Sequence, residues 1–172
     1  EADRRARADR FFLAGLRYEE RADTIPKAIR AYHKATELNP KALGAFINLG
    51  TIFYHQGSHE EADRCYRAAL VLNPRSALVH FNLANLLEEM GQLEAARDHY
   101  QQAIELDPSY PDPCFNLALI YERLGRHGKA CEQWRGYLRL DRDSRWAAYA
   151  REKLERIPLR LVSSTHPHPI RR

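Results

Sequence analysis

Three dipeptides, Asn39-Pro40, Asn73-Pro74 and Asp107-Pro108, stand 34 residues apart, and Asp141-Arg142 continues the series with the proline lost. A chain that returns to the same punctuation at one period is a supersecondary unit repeated, and each unit hides its apolar face only against its neighbours. The stretches between these marks align without gaps. They read LGAFINLGTIFYHQGSHEEADRCYRAALVLNP over 43–74, ALVHFNLANLLEEMGQLEAARDHYQQAIELDP over 77–108 and PDPCFNLALIYERLGRHGKACEQWRGYLRLDR over 111–142.

Each stretch has one layout. A first helix carries apolar residues at helical spacing: Phe46, Leu49 and Phe53, then Leu83 and Leu87, then Leu117 and Tyr121. A small residue follows the leucine (Gly50, Ala84, Ala118) and lets another helix come close. A glycine (Gly57, Gly91, Gly125) sits where the chain must turn left-handed. The second helix buries Ala62, Tyr66 and Ala69, then Ala96, Tyr100 and Ala103, then Ala130, Trp134 and Tyr137. Ser58 with Glu61 has the spacing of a capping box. Proline after the last turn stops one helix and starts the next.

At these positions the sequence resembles the tetratricopeptide repeat (TPR) family, whose units carry an aromatic, Leu-Gly, Tyr, Ala, aromatic, Ala and Pro at fixed offsets. The resemblance spans residues 8–142 and implies an all-α fold, a right-handed α-solenoid of four helix-turn-helix units at about 8–40, 41–74, 75–108 and 109–142. The first unit is a variant. Ala28, Tyr32, Ala35 and Pro40 are in register, but Ala14-Gly15 and Tyr18 fit only with one residue inserted in the turn. A longer turn near 20–25 is expected, with Asp23 or Thr24 capping the helix that Pro26 begins. Terminal repeats need a helix over their open face. Residues 143–157 supply a capping helix, capped by Asp143 or Ser144, with Trp146, Ala147, Ala150, Leu154 and Ile157 on one stripe. Pro158 is expected to stop it and to leave 158–172 as an extended or disordered tail.

Composition excludes several classes. At 44% hydrophobic and 29% charged the chain has the makings of a folded core, and no stretch is apolar enough for a membrane span. The three cysteines, Cys65, Cys114 and Cys131, form no CxxC pair and read as reduced thiols of a cytoplasmic protein. His55 and His59 are separated by a helix-ending glycine, and His166 and His168 lie in a proline-broken tail, so no metal site is expected. Neither a phosphate-binding glycine loop nor a nucleophile elbow is present, so no cofactor and no catalysis are expected. Charge is uneven: 0 over residues 1–24, −4 over 25–122 and +8 over 123–172. An arginine-rich solvated face explains the basic end; an acidic partner or a phosphate backbone is the alternative.

The residues left over by packing point to a groove. Asn48, Asn82 and Asn116 recur at the repeat period, each directly before the leucine, while the first unit has Leu13 there. An amide offers donors and an acceptor together and pairs with a peptide backbone whatever its side chains. The set resembles the asparagine ladder of TPR-bearing O-linked N-acetylglucosamine transferases, and the resemblance implies a concave surface here. Thr51, Tyr54, Phe81, Asn85, Glu89, Phe115, Leu119 and Arg123 complete the expected wall. TPR domains that clamp acidic chaperone tails use Lys and Asn in the first unit, where this chain has Phe12 and Leu16, and Lys and Arg in the third, where it has Leu78 and Asn82 or Asp112 and Asn116, so that role is not expected.

The chain is thus expected to be a protein-interaction module that takes a peptide or partner segment, with self-association possible. Two alternatives stand beside it. ADTIPKAIRAYHKATELNPKALGAFINLGTIFY and WRGYLRLDRDSRWAAYAREKL are similar to TPR regions of bacterial MerR-type regulators, which would make this a sensing or dimerisation part. Nucleic acid would then be met only by a domain outside this chain. The other alternative is the substrate-recruiting arm of a larger enzyme. The start at Glu1, without an apolar signal segment, leads us to expect a piece of a longer protein.

Overall fold

The computed structural model describes residues 1–163, with side chains as far as Ile157. Helices α1 (Ala2–Glu19), α2 (Ile25–Leu38), α3 (Leu43–His55), α4 (His59–Leu72), α5 (Ala77–Glu89), α6 (Leu93–Leu106), α7 (Pro111–Arg123), α8 (His127–Leu140) and α9 (Arg145–Ser163) follow one another, with no strand among the described residues. The fold is all-α and built of helix-turn-helix repeats. Contacts gather into two compact units, Glu1–Ala96 and Arg97–Arg172, the division falling inside α6.

In the first unit α1 packs on α2 and α3 on α4 through ring-on-backbone contacts. The ring of Tyr66 lies so close to Gly50 that a Cβ there would sit 2.6 Å from Cε1, and Tyr32 lies on Gly15 in the same way. Between these pairs Ala28, Tyr32 and Ala35 of α2 close a core with Ala45, Leu49 and Ile52 of α3. The extra residue of the first turn is taken up by a single 3-10 turn, Ala22–Thr24. In the second unit Ala130, Trp134 and Tyr137 of α8 are buried, as are Leu117, Ala118, Ile120 and Tyr121 of α7. Ala147, Ala150 and Ile157 of α9 are buried too.

The turns are three copies of one device. Gly57, Gly91 and Gly125 have φ of +72°, +75° and +68°. The amides that follow close back on the helix, Ser58 onto the Phe53 carbonyl (2.9 Å), Gln92 onto Leu87 (2.8 Å) and Arg126 onto Tyr121 (2.8 Å). This is the Schellman closure, which uses carbonyls that the helix end would leave bare. The Asx of each Asx-Pro mark has its own task. Its side-chain oxygen accepts the amide two residues on, Lys41 at 3.0 Å, Arg75 at 3.1 Å and Ser109 at 3.0 Å. Asp141 does the same for Asp143 at 3.3 Å, so the mark survives the loss of its proline.

Several local expectations are corrected. Ser58 precedes α4 but makes no side-chain cap bond, so the capping box is not formed. Thr24 also leaves α2 uncapped; its one hydroxyl proton is shared between the Tyr18 carbonyl at 2.5 Å and the Arg21 carbonyl at 2.9 Å, closing α1 instead. Ser76 caps α5, accepting the Val79 amide at 3.3 Å. Ser144 caps α9, accepting the amides of Trp146 and Ala147 at 3.1 Å each. Helix α9 does not stop at Pro158 but runs to Ser163. A proline inside a helix forfeits one backbone bond without ending the turns on either side. The expected tail therefore loses its first six residues to helix (158–163), and 164–172 lie outside the described residues.

Because Gly50 touches the Tyr66 ring, Gly50→Val should overpack the α3–α4 contact and cost about 1–3 kcal/mol. The check is a thermal melt followed by circular dichroism; a midpoint within error of the parent would refute the contact.

Candidate functional site

In the first unit the first helices α3 and α5 lie side by side and leave a cleft of about 380 Å³. Asn48, Thr51 and Tyr54 line it from α3, Asn82 and Asn85 from α5, and all five belong to the expected wall. Ile47, His55, Tyr66 and Leu78 complete the lining. His55 and Leu78 were not anticipated as site residues. Leu78 sits one helical turn before Asn82 and is 48% exposed, so extending the helical spacing backwards from the asparagine would have found it.

The polar groups of the cleft are held from behind. Tyr32, whose ring lies on Gly15, accepts Asn48 Nδ2–H at its hydroxyl, 2.9 Å away. Tyr66 donates its hydroxyl to Thr51 Oγ1 at 3.3 Å, and Thr51 in turn donates to the Ile47 carbonyl at 3.1 Å. Asn48 thus has one amide proton committed and its amide plane oriented; the carbonyl and the second proton remain for a ligand. Burial pushes the Tyr66 phenol up to about 12, and Tyr32 is raised for the same reason, so both stay protonated. At the end of the cleft Tyr54 is raised by burial and by neighbouring Glu89, and Glu89 also lies 3.8 Å from His59 Nε2. Glu89 is exposed; Phe81 is half-buried on α5 and is not among the cleft residues.

Asn116, Phe115, Leu119 and Arg123 belong to the second unit and have their own setting. Asn116 repeats the buttress: its Nδ2–H donates to Tyr100 hydroxyl at 3.2 Å. Phe115 is held by four rings, Trp134 (5.0 Å between centroids), Tyr137 (5.2 Å), Trp146 (5.5 Å) and Tyr149 (5.7 Å). It is half-buried in an aromatic cluster that α9 completes. Trp146 is 47% exposed and stacked under the Arg145 guanidinium at 4.6 Å, so it leaves the buried stripe assigned to it from the sequence. The stripe is Ala147, Ala150 and Ile157, and Leu154 is half-buried. Beneath the cluster Glu122 accepts the Trp134 indole N–H at 2.9 Å and pairs with Lys153 of α9 at 2.7 Å. Leu119 is half-buried and Arg123 exposed. All three cysteines are unpaired thiols; burial pushes Cys65 up to about 11 and raises Cys114, which keeps both protonated.

Repeat geometry, turn closure and the Gly–Tyr contacts decide what family this is. Models described as tetratricopeptide repeat or TPR repeat match residues 12–63, 50–91, 89–125 and 111–144. The chain is a tetratricopeptide repeat protein. Among solved structures it is similar to PilF of Pseudomonas aeruginosa, with 26% identity and a TM-score of 0.76 over 94% of this chain and 72% of that one. It is also similar to MamA, at 21% identity and a TM-score of 0.74, covering 95% of this chain and 98% of that one. A second MamA structure gives 23% identity and a TM-score of 0.70, with 87% and 96% covered. At that identity the MamA likeness speaks for the fold alone. A search of curated proteins returns no significant match. TPR folds serve as protein-interaction scaffolds, and among the described residues no helix is long and apolar enough to cross a membrane.

Two outcomes follow from the buttresses. Tyr32→Phe should cost about 1 kcal/mol by stranding the Asn48 amide proton, read as a shift in the urea midpoint; an unchanged midpoint would show the bond idle. Glu122→Ala strips both Trp134 and Lys153 of their partner and should cost about 2–3 kcal/mol. Loss of less than half that, with tryptophan emission unmoved, would contradict the network.

Proposed function

We propose that this TPR protein captures an extended peptide or partner segment along the first helices of its repeats, with asparagine amides as the gripping groups. The observation that carries the reading is the cleft in which Asn48, Asn82 and Asn85 meet Thr51 and Tyr54 over an apolar floor of Ile47 and Leu78. Amides and hydroxyls beside apolar walls match a peptide backbone with an apolar side chain, which needs donors, acceptors and a place for its side chain. The pre-set amide of Asn48 lowers the ordering cost of that grip. Asn116, buttressed in the same manner, extends the reading to the second unit, where Phe115, Leu119 and Arg123 would supply the wall. Glu89 and Tyr54 would then select for a cation or donor at one end of the bound segment.

Neither the regulator reading nor the enzyme-arm reading draws support from the family matches or the solved structures.

The test uses peptides selected from a displayed random library on the full chain. Asn82→Ala with Asn85→Ala should weaken the selected peptides about tenfold or more, since two or more backbone hydrogen bonds are lost. Asn48 and Asn116 suit the test less well, because their loss would also remove the hydrogen bonds to Tyr32 and Tyr100. Selected peptides that bind the double variant as tightly as the parent would end the proposal.

A further inference from the structure

The face that α1 and α2 turn away from α3 is built unlike any inner face of the repeat. The close Gly15–Tyr32 and Gly50–Tyr66 contacts put α1 and α3 in one register. In that register Arg10, Ala14 and Arg17 occupy the places of Ala45, Leu49 and Ile52, the three α3 residues that α2 covers. A repeat-type neighbour therefore meets guanidinium groups where the array elsewhere offers hydrocarbon. What remains is a pair of adjoining open clefts of about 470 and 370 Å³ that share Phe11 and Ala14 as their floor.

The rim is cationic. Arg7 and Arg10 stand on the α1 side, and Lys27, Arg30 and Lys34 on the α2 side. Lys34 is paired with Glu37 at 2.7 Å and Lys27 lies over the Tyr18 ring at 5.9 Å. Arg7, Arg10 and Arg30 have no ion pair among the described residues, although Asp3 lies one helical turn before Arg7. Unpaired guanidinium groups around an apolar floor, all exposed and of one sign, set up an attraction for a partner with carboxylates flanking a hydrophobic stripe. The shape adds a second condition. The equivalent side of α3 is the seat of a whole helix, α2, so this side has the dimensions to seat one.

We propose that the α1–α2 face is a second docking surface of the protein, occupied by an amphipathic helix of a partner whose apolar stripe lies on Phe11, Ala14 and Ala31 and whose carboxylates meet Arg7, Arg10 and Arg30. A nucleic acid would satisfy the arginines and leave the floor unused, so it matches the site less well. The proposal does not depend on the asparagine cleft, which lies on α3 and α5.

The test is fluorescence anisotropy with the full chain and a labelled synthetic helix bearing leucine at i, i+3, i+4 and i+7 flanked by glutamates. Binding should weaken about tenfold in the triple variant Arg7→Glu, Arg10→Glu, Arg30→Glu and weaken with added salt. The Asn82→Ala, Asn85→Ala variant should bind this probe as the parent does. Because the three arginines are exposed, the triple variant should keep the parent melting curve. No measurable binding, equal binding of the same peptide with lysines for glutamates, or unchanged affinity in the triple variant would each overturn it. So would tighter binding of a single-stranded oligonucleotide, or a concentration-dependent doubling of mass that the triple variant abolishes, since either names another occupant.

Discussion

A ring lying against a residue without a side chain is the contact on which the first unit depends. Tyr32 rests on Gly15 and Tyr66 on Gly50, closer than any Cβ would allow. The contact sets how near the two helices of a repeat stand and fixes the direction of the phenol. With the rings held there, both hydroxyls meet groups of α3: Tyr32 accepts from Asn48 of the next repeat, and Tyr66 donates to Thr51 of its own. Packing and site are one construction, since the same tyrosine that closes the core orients a group of the cleft.

The second unit reaches a similar end with different chemistry. Ala118 replaces the glycine, and Trp134 stands where the tyrosines stand. The indole N–H has no asparagine in reach of the kind Tyr32 has; it donates to Glu122, whose other oxygen holds Lys153 of α9. A half-buried carboxylate with two donors avoids the penalty an unpaired one would pay. The same helix closes Phe115 into a cluster of rings. The role of α9 is therefore more than covering an apolar face: it supplies the charge that Glu122 needs and two of the rings that surround Phe115.

The α1 side differs from the inner faces in the same terms. Inner faces carry alanine, leucine and isoleucine and are covered; the α1 side carries Arg10 and Arg17 at two of the three equivalent places. Stacking is specified by side-chain chemistry at a handful of positions, since helix geometry is common to all of them.

Much of this was legible in the amino-acid order. The 34-residue period, the helix pairs, the buried Ala-Tyr-Ala and Ala-Trp-Tyr sets and the three left-handed glycines all follow from local pattern, because turn chemistry and helical spacing act within a few residues. Tertiary structure alone decided which polar groups are spent. Asn48 and Asn116 look identical to Asn82 in sequence, yet their amide protons are bound to tyrosines 16 residues earlier, and only helix packing brings those together. It decided that Thr24 closes the helix behind it, that Trp146 lies outside the core and that α9 continues past Pro158. Each of these turns on competition between partners near in space and distant in sequence, and a one-dimensional pattern holds no measure of that distance.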